Sequence, residues 1–219
     1  MRRRFSILLA LVMVFTGLSG YSQRFEGGLA AGVVTSQING DGYGGYHQLG
    51  WTAGVFGRIP TKEASSWQLE LRYSLFGARS SVDEIEFGYA PMDIRLHYVE
   101  MPVLYRYNLG RFQVGEQRLD FLTMEVGLSA DFLARNRQSA DNDGGFENPN
   151  WLFFSVTGDI GVDFRLSERL GVNIRSLNSL SPCRWNPGSP SLFYGHYYNI
   201  VLQAGMTYTI LAQIGRAHV

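Results

Sequence analysis

Long stretches of the chain alternate between large apolar residues and polar residues. In residues 67–75 every odd position is large and apolar, and every even position is polar. Side chains of a β-strand point alternately to its two faces, so this alternation separates the two sets of residues. Residues 67–75 are therefore predicted to form a strand with one apolar face and one polar face.

Seven further segments alternate in the same way. They lie at about residues 28–36, 49–59, 99–108, 122–132, 152–166, 170–175 and 199–210. The connections after the odd-numbered strands are long, at residues 39–48, 79–96, 135–150 and 181–196. Those at residues 60–66 and 167–169 are short, and the one at 110–118 is intermediate. Long loops at one end and short turns at the other are typical of bacterial outer-membrane barrels. We therefore predict an all-β fold, an eight-stranded antiparallel up-and-down transmembrane β-barrel.

The polar face of these strands mixes small residues with charges of both signs. Such a mixture suits a narrow barrel interior, whereas a soluble lipocalin-like barrel would turn the apolar set inward. We expect the charged residues to pair across the lumen and close it. The predicted lumen ion-pair network consists of Arg58, Glu70, Arg72, Glu100, Arg106, Glu125, Asp131, Asp159, Asp163, Arg165 and Arg175.

The two ends of the chain are predicted to lie outside the barrel domain, residues 23–213. Residues 1–22 combine three arginines, an apolar run and small polar residues, which is the pattern of a cleaved secretory signal peptide. The alternative, a membrane anchor, is disfavoured because about 11 apolar residues are too few to span a bilayer. Residues 214–219 break the alternation and are predicted to be a non-native tail.

Composition excludes several functional classes. The formal charge is zero, with 19 basic and 19 acidic residues, so the chain lacks the excess of basic residues that nucleic-acid binding requires. Cys183 is the only cysteine and cannot form an internal disulfide. The acidic segments at residues 83–86 and 141–145 suggest a calcium site. The second segment lacks the distal glutamate of an EF-hand, and its Asn, Asp and Gly residues are typical of turns. We predict no cofactor and no metal.

Two segments resemble a known family. Residues 27–42, GGLAAGVVTSQINGDG, resemble the opening strand of the PorT-like outer-membrane β-barrel family of Bacteroidota. Residues 98–107, YVEMPVLYRY, are similar to a later strand of that family, with Glu100 and Pro102 at fixed places. The resemblance implies a single eight-stranded barrel in the outer membrane of a Gram-negative bacterium, described as porin-like. The family's namesake belongs to a secretion apparatus, which implies a possible envelope or secretion-system protein partner.

The long loops carry the remaining candidate chemistry. His47, His97 and His196 lie in or beside them, with Ser80, Ser81 and Asp93 as companions for a rim enzyme. Catalysis would need a base within hydrogen-bonding reach of a nucleophile, and no tight spacing indicates one. Aromatic residues are abundant in the same loops and indicate either a binding surface or an interfacial girdle. The candidate loop surface consists of Tyr43, Tyr46, Phe87, Tyr89, Phe146, Trp185, Phe193 and Tyr194.

Three functions are compatible with this sequence. The favoured one is a non-catalytic outer-membrane barrel with a filled lumen and an envelope structural or loop-mediated binding role. The alternatives are a small-solute channel and an outer-leaflet lipid-modifying enzyme that uses the rim histidines. The expected partners are outer-membrane lipid, the barrel-assembly machinery and an envelope protein.

Overall fold

The computed structural model describes residues 25–62, 64–89, 91–140, 151–186 and 195–211. The predicted signal peptide and the predicted non-native tail lie outside the described residues. Among the described residues, no helix is long and apolar enough to cross a membrane.

Ten strands and one short helix make up the described structure. The helix, α1, spans Val82–Glu86. Two strands form a small hairpin, β5 (Gln113–Val114) with β6 (Gln117–Arg118). The remaining strands are β1 (Glu26–Asn39), β2 (Gln48–Lys62), β3 (Ser65–Arg79), β4 (Met92–Asn108), β7 (Leu122–Ala140), β8 (Phe154–Arg165), β9 (Leu170–Ser179) and β10 (Tyr198–Leu211).

The eight long strands form one closed antiparallel sheet. Its order is β1-β10-β9-β8-β7-β4-β3-β2, with β2 returning to β1. β1 pairs with β10 from Gly27 to Asn39, so the first and last strands leave no sheet edge. The predicted eight-stranded antiparallel barrel is confirmed. We call the end that carries the long connections the outer end and the opposite one the inner end.

The two faces of the barrel differ in chemistry as the alternation predicts. On β3 the side chains of Leu69 and Leu71 are exposed, while Glu70 and Arg72 are buried inside. Val33, on β1, is 65% exposed, yet its neighbour Val34 is 2% exposed. An apolar outer face is the arrangement that lipid requires, and a soluble lipocalin-like barrel would have the reverse.

Several strands are longer than the alternation indicates. β4 begins at Met92, inside the predicted loop 79–96, and β7 continues to Ala140, inside the predicted loop 135–150. β2 continues through Pro60, so the turn to β3 is reduced to two residues. The alternation ends early because Arg95, Arg135 and Arg137 occupy outward positions where an apolar residue marks the strand elsewhere. These extensions place β4 and β7 well beyond the 9–11 residues that cross a bilayer.

Glycine at inward positions makes room for the charged side chains. A Cβ on Gly161 would lie 2.7 Å from Cγ of Arg175. A Cβ on Gly171 would lie 3.0 Å from a carboxylate oxygen of Asp163. The lumen of an eight-stranded barrel is only wide enough for side chains to fill it, so large residues there need small neighbours.

The sidedness of the barrel predicts the cost of a charge on its outer face. Leu71 lies near the middle of β3 and is 49% exposed on that face. Leu71→Arg should lower the free energy of unfolding by about 2–4 kcal/mol, because it places a charge in lipid. Leu166→Arg, in the short turn after β8, should cost about 0–1 kcal/mol because the turn lies at the interface. Urea titration of folding into lipid vesicles measures both, and equal costs would contradict the sidedness.

Candidate functional site

Arg175 is the centre of the charged lumen. Its guanidinium donates to both carboxylate oxygens of Glu70, with Nη1–Oε2 and Nη2–Oε1 distances of 3.0 and 2.8 Å. Its Nε donates to Oε2 of Glu125 at 2.8 Å. β9, β3 and β7 supply these three residues, so the contacts cross the barrel rather than following one strand pair. The planar guanidinium suits this bidentate contact in a way that a lysine ammonium would not.

Arg106 extends the network toward the inner end. Its Nε lies 2.8 Å from Oε1 of Glu125, and its Nη2 lies 2.9 Å from Oδ1 of Asp163. Its Nη1 donates to Oε1 of Gln68 at 2.7 Å. Glu125 therefore joins Arg106 to Arg175.

Arg72 extends the network toward the outer end. Its guanidinium lies 3.3 Å from Glu70 and 3.4 Å from Glu100. A longer contact of 3.8 Å reaches Oδ2 of Asp159, and Nη1 donates to Gln203 at 3.0 Å. Glu70 therefore links Arg72 to Arg175, and one connected set of ion pairs runs along the barrel axis.

Hydroxyl groups bind the carboxylates that have fewer arginine contacts. Ser74 donates to Glu100, and Thr157 donates to Asp131. Ser129 donates to the other oxygen of Asp131. A buried carboxylate is costly unless hydrogen bonds satisfy its oxygens, so these hydroxyls belong to the network as much as the charges do.

Two arginines of the predicted network lie at its inner margin. Arg58 is partly exposed and binds Glu26 at 3.0 Å, while its Nε donates to Gln68 at 2.9 Å. Arg165 is exposed and donates to the backbone carbonyl of Asp120, so assigning it to the lumen is wrong. The physical reason is its position at the last residue of β8, where the side chain reaches water beyond the barrel wall.

The buried layer consequently contains more acid than base. Glu70, Glu100, Glu125, Asp131, Asp159 and Asp163 are buried with three arginines, Arg72, Arg106 and Arg175. Gln68 and Gln203 also belong to this layer although neither was among the predicted lumen residues: Gln68 accepts from Arg106, and Gln203 accepts from Arg72. Gln68 occupies the same polar face of β3 as Glu70, so the alternation contains the signal that identifies it.

A cluster of apolar side chains fills the outer part of the lumen, where the alternation predicted a polar interior. We call this cluster the outer plug. Tyr98 and Leu96 lie two and four residues from Glu100 toward the outer end of β4, in the same inward register. The buried members of the outer plug are Val34, Ile38, Phe76, Ala78, Ile94, Leu96, Tyr98, Leu133, Trp151, Leu177, Cys183 and Val201.

Residues that flank β8, β9 and β10 contribute Trp151 and Cys183 to the outer plug, and Tyr197 packs against it. Trp151 and Tyr197 each form an isolated bridge with Arg184, whose guanidinium lies 5.5 and 5.1 Å from their ring centroids. Cys183 is fully buried, with its thiol 3.2 Å from the carbonyl of Tyr197. Burial raises the pKa of the Cys183 thiol to about 12, so at neutral pH it stays protonated and packs as an apolar group.

The loop after β3 is ordered by α1 and fastened to the loop after β1. Ser81 and Glu84 form a capping box at the start of α1. The backbone N–H of Gly44 donates to Oε1 of Glu84 at 2.8 Å, and the Tyr43 and Tyr89 rings meet edge to face at 6.0 Å. The hydrogen bonds from Gly44 and Ser81 lower the pKa of Glu84, which keeps it ionised at neutral pH.

The candidate loop surface is partly described. Phe87 is 85% exposed, and Tyr46, Tyr89 and Trp185 are also exposed. Phe146, Phe193 and Tyr194 lie outside the described residues. Among the described members, Tyr43 and Tyr89 meet beside α1, and Trp185 packs edge to face on His196 at 4.4 Å.

The three rim histidines have different environments. His47 is exposed, whereas His97 accepts or donates a hydrogen bond with the Tyr73 hydroxyl at 3.1 Å. His196 is buried, and its Nδ1 accepts from the backbone of Asn186.

Their proposed companions have structural contacts. Ser80 bonds to the backbone of Met92, Ser81 caps α1, and Asp93 pairs with Arg95 at 2.8 Å. Within the described part of the chain, no group of three or more His, Cys, Asp or Glu residues could hold a metal ion.

Comparison of the sequence with family models identifies the class of barrel. The model for the "Outer membrane protein beta-barrel domain" matches residues 19–183, more than half of the 219 residues. The chain belongs to this family. The apolar outer face thus faces the lipid of the outer membrane. No curated protein sequence matches the chain.

Solved outer-membrane barrels have a similar fold. One is Ail, the attachment invasion locus protein of Yersinia pestis, crystallised with the heparin analogue sucrose octasulfate. It is 12% identical, with 85% of this chain and 99% of that chain covered and a TM-score of 0.47. Neisserial surface protein A is 12% identical, with coverage of 84% and 96% and a TM-score of 0.43. These likenesses concern the fold alone.

The lumen network predicts a large cost for removing its central arginine. Arg175→Met should lower the free energy of unfolding by about 3–5 kcal/mol, because Glu70 and Glu125 would keep buried charges without their partner. Adding Glu70→Gln to that variant should recover part of the loss. Arg58→Met, at the partly exposed inner margin, should cost about 0–1 kcal/mol. Urea titrations in lipid vesicles give all three values, and similar costs for Arg175→Met and Arg58→Met would refute the central role.

Proposed function

We propose that this outer-membrane barrel is a non-catalytic envelope protein that acts through its outer loops while its lumen stays closed. The observation that carries the proposal is the filling of the lumen by two successive layers. The ion-pair network occupies the middle and inner part, and the outer plug occupies the outer part. A solute would have to displace both layers to pass.

The contacts favour this function over the two alternatives. A channel needs a continuous polar path, but the buried rings of Phe76 and Tyr98, 5.6 Å apart, lie in the outer plug. A rim enzyme needs a histidine beside a nucleophile, but the contacts described for Ser80 and Ser81 are with Met92 and Glu84.

The closed lumen predicts the electrical behaviour of the protein. Purified protein in planar bilayers should show no steady ohmic conductance, because the ion-pair network and the outer plug leave no aqueous path. A large open porin in the same bilayers provides the control that such steps are detectable. A steady conductance in the nanosiemens range would overturn the closed lumen and favour the channel.

The ordered loop around α1 supports the binding role. Val82, Ile85, Phe87 and Tyr89 are exposed there, although Glu84 and Ser81 hold the backbone in place. Apolar groups exposed on an ordered segment are a feature of interaction surfaces. The proposed partner is another envelope protein, for example a component of a secretion system.

This loop predicts a specific loss of association. Phe87→Ser with Tyr89→Ser should remove a higher-mass species of the barrel from native gels of gently solubilised outer membranes. Phe112→Ser with Val114→Ser is the matched control, since both residues are exposed at the inner end. The control should leave the species intact. Identical migration of the wild type and both double variants would argue against a loop-bound protein partner.

Within the family, we also propose that the chain is PorT-like and comes from a member of the Bacteroidota. The first of the two segments that resemble that group forms most of β1 and the residues after it, and the second forms the inner part of β4. Glu100 and Pro102 in the second segment both face the lumen and are buried. A cleaved signal peptide at residues 1–22 and insertion by the barrel-assembly machinery complete the proposal.

A further inference from the structure

Three buried carboxylates lie together in the outer half of the ion-pair network. Glu100 of β4 is the cross-strand partner of Asp131 of β7, and both residues are buried in the lumen. Asp159 of β8 belongs to the same group, because the Arg72 guanidinium contacts it at 3.8 Å and contacts Glu100 at 3.4 Å. We call Glu100, Asp131 and Asp159 the outer acid cluster. Like charges at opposed positions destabilise a sheet, and a lumen of low dielectric strengthens their repulsion.

The outer acid cluster has too little positive charge around it. Among the described residues, Arg72 is the only arginine that contacts the cluster, and it also contacts Glu70 at 3.3 Å. Asp131 accepts hydrogen bonds from two hydroxyl groups but forms no ion pair in the described structure. The other two buried arginines pair with the remaining carboxylates of the layer. Three ionised carboxylates with one guanidinium have a formal charge of −2, and all four groups are buried.

The surrounding strands do not make up this difference within the described residues. β10 has no charged residue, and the inner end of β1 has Glu26, which pairs with Arg58 of β2. Arg175 of β9 binds Glu70 and Glu125 through its guanidinium. The other titratable or charged groups of the ion-pair network and the outer plug are Glu70 and Arg72 of β3, Arg106 of β4, Glu125 of β7, Asp163 of β8, Tyr98 and Cys183.

Two buried groups of this region have no hydrogen-bond partner in the described structure. Neither carboxylate oxygen of Asp159 accepts a hydrogen bond, although the residue is only 3% exposed. Ser155, the cross-strand partner of Asp131, is 1% exposed, and its hydroxyl is also without a partner. A buried ionised carboxylate is costly unless donors satisfy its oxygens. The unsatisfied oxygens of Asp159 therefore indicate that the cluster binds a further positive charge.

The Ser74 hydroxyl indicates where that charge fits. It lies 2.8 Å from Oγ1 of Thr52 and also within hydrogen-bonding distance of Oε2 of Glu100. Ser74 is placed to donate to both, but a serine hydroxyl has only one proton. If Glu100 is protonated, its carboxyl group donates to Ser74, and Ser74 donates to Thr52. Each donor in this chain then has one acceptor.

We propose that the outer acid cluster is a proton-binding site that holds one proton in the folded barrel at neutral pH. The proton changes the formal charge of the cluster with Arg72 from −2 to −1. A proton fits better than a metal ion, since no group of three or more His, Cys, Asp or Glu residues in the described chain could hold one. The outer plug also blocks a hydrated cation from the outer end. The site does not involve the loop around α1.

Unfolding releases the proton, which makes the site measurable. An unfolded carboxyl group has lost its proton above about pH 5. The folded wild type then binds one proton more than the unfolded chain, so its stability falls as the pH rises. The ratio of the unfolding equilibrium constants of the wild type and Glu100→Gln should increase up to about tenfold per pH unit between about pH 5 and 7. Urea titrations in phosphatidylcholine vesicles at several pH values give this ratio.

Glu125→Gln is the matched control in the same layer. It is the same replacement at a carboxylate that two arginines contact, Arg106 and Arg175. It should change the unfolding equilibrium constant by one constant factor over this pH range. A ratio of wild type to Glu100→Gln that is equally independent of pH overturns the proposal. A ratio that follows the sodium concentration instead of the pH assigns the site to a cation and also overturns it.

Infrared spectroscopy of the wild type gives a second readout that requires no variant. The folded protein, in D₂O at neutral pH and in a detergent without carbonyl groups, should show the C=O stretch of a protonated carboxylic acid. A folded wild type without this absorption overturns the proposal even if Glu100→Gln does not fold. The conductance of the barrel and the association through its outer loops are measured separately. The proton site can therefore fail while the proposed function stands.

Discussion

The bidentate ion pair between Arg175 and Glu70 holds the interior of this barrel together. It joins β9 to β3, which are not neighbours in the sheet, and Glu125 connects the same arginine to β7. An eight-stranded barrel leaves space for side chains but little for water, so every buried charge needs a protein partner. Arg72 and Arg106 repeat the arrangement toward the two ends, and the glycine at residue 161 creates the space that Arg175 occupies.

The interior is divided along its axis, and that division supports a closed barrel. Charged and hydroxyl side chains fill the inner and middle part, where β3, β4 and β7 contribute polar residues at alternate positions. Farther out on the same strands, the inward positions become apolar, as in the change from Glu100 to Tyr98 and Leu96 on β4. The outer plug separates the buried charges from the external medium, so they keep their partners and lose their access to water. Low dielectric surroundings strengthen each pair that remains satisfied.

With the lumen filled, the outer loops are the surface that remains for the proposed binding role. The loop around α1 exposes Phe87 and Tyr89 although hydrogen bonds through Glu84 hold it in place.

The sequence alone determined the strand number, the sidedness and most of the charged lumen residues. Those features follow from a period of two, which is local: a residue's face depends only on its parity within the strand. The alternation could therefore assign to the interior Glu70, Arg72, Glu100, Arg106, Glu125 and Arg175. Serine and threonine hydroxyls that bind these carboxylates, such as that of Ser74, have the same parity. Parity does not show how far along the barrel axis a side chain lies. Only the three-dimensional structure shows that Arg165 reaches water at the end of β8 and that Gln68 joins Arg58 to Arg106. It also shows that Leu96 and Leu177 both belong to the outer plug. It also opposed Arg95 to Arg137, because pairing between β4 and β7 depends on the whole closed sheet rather than on either strand.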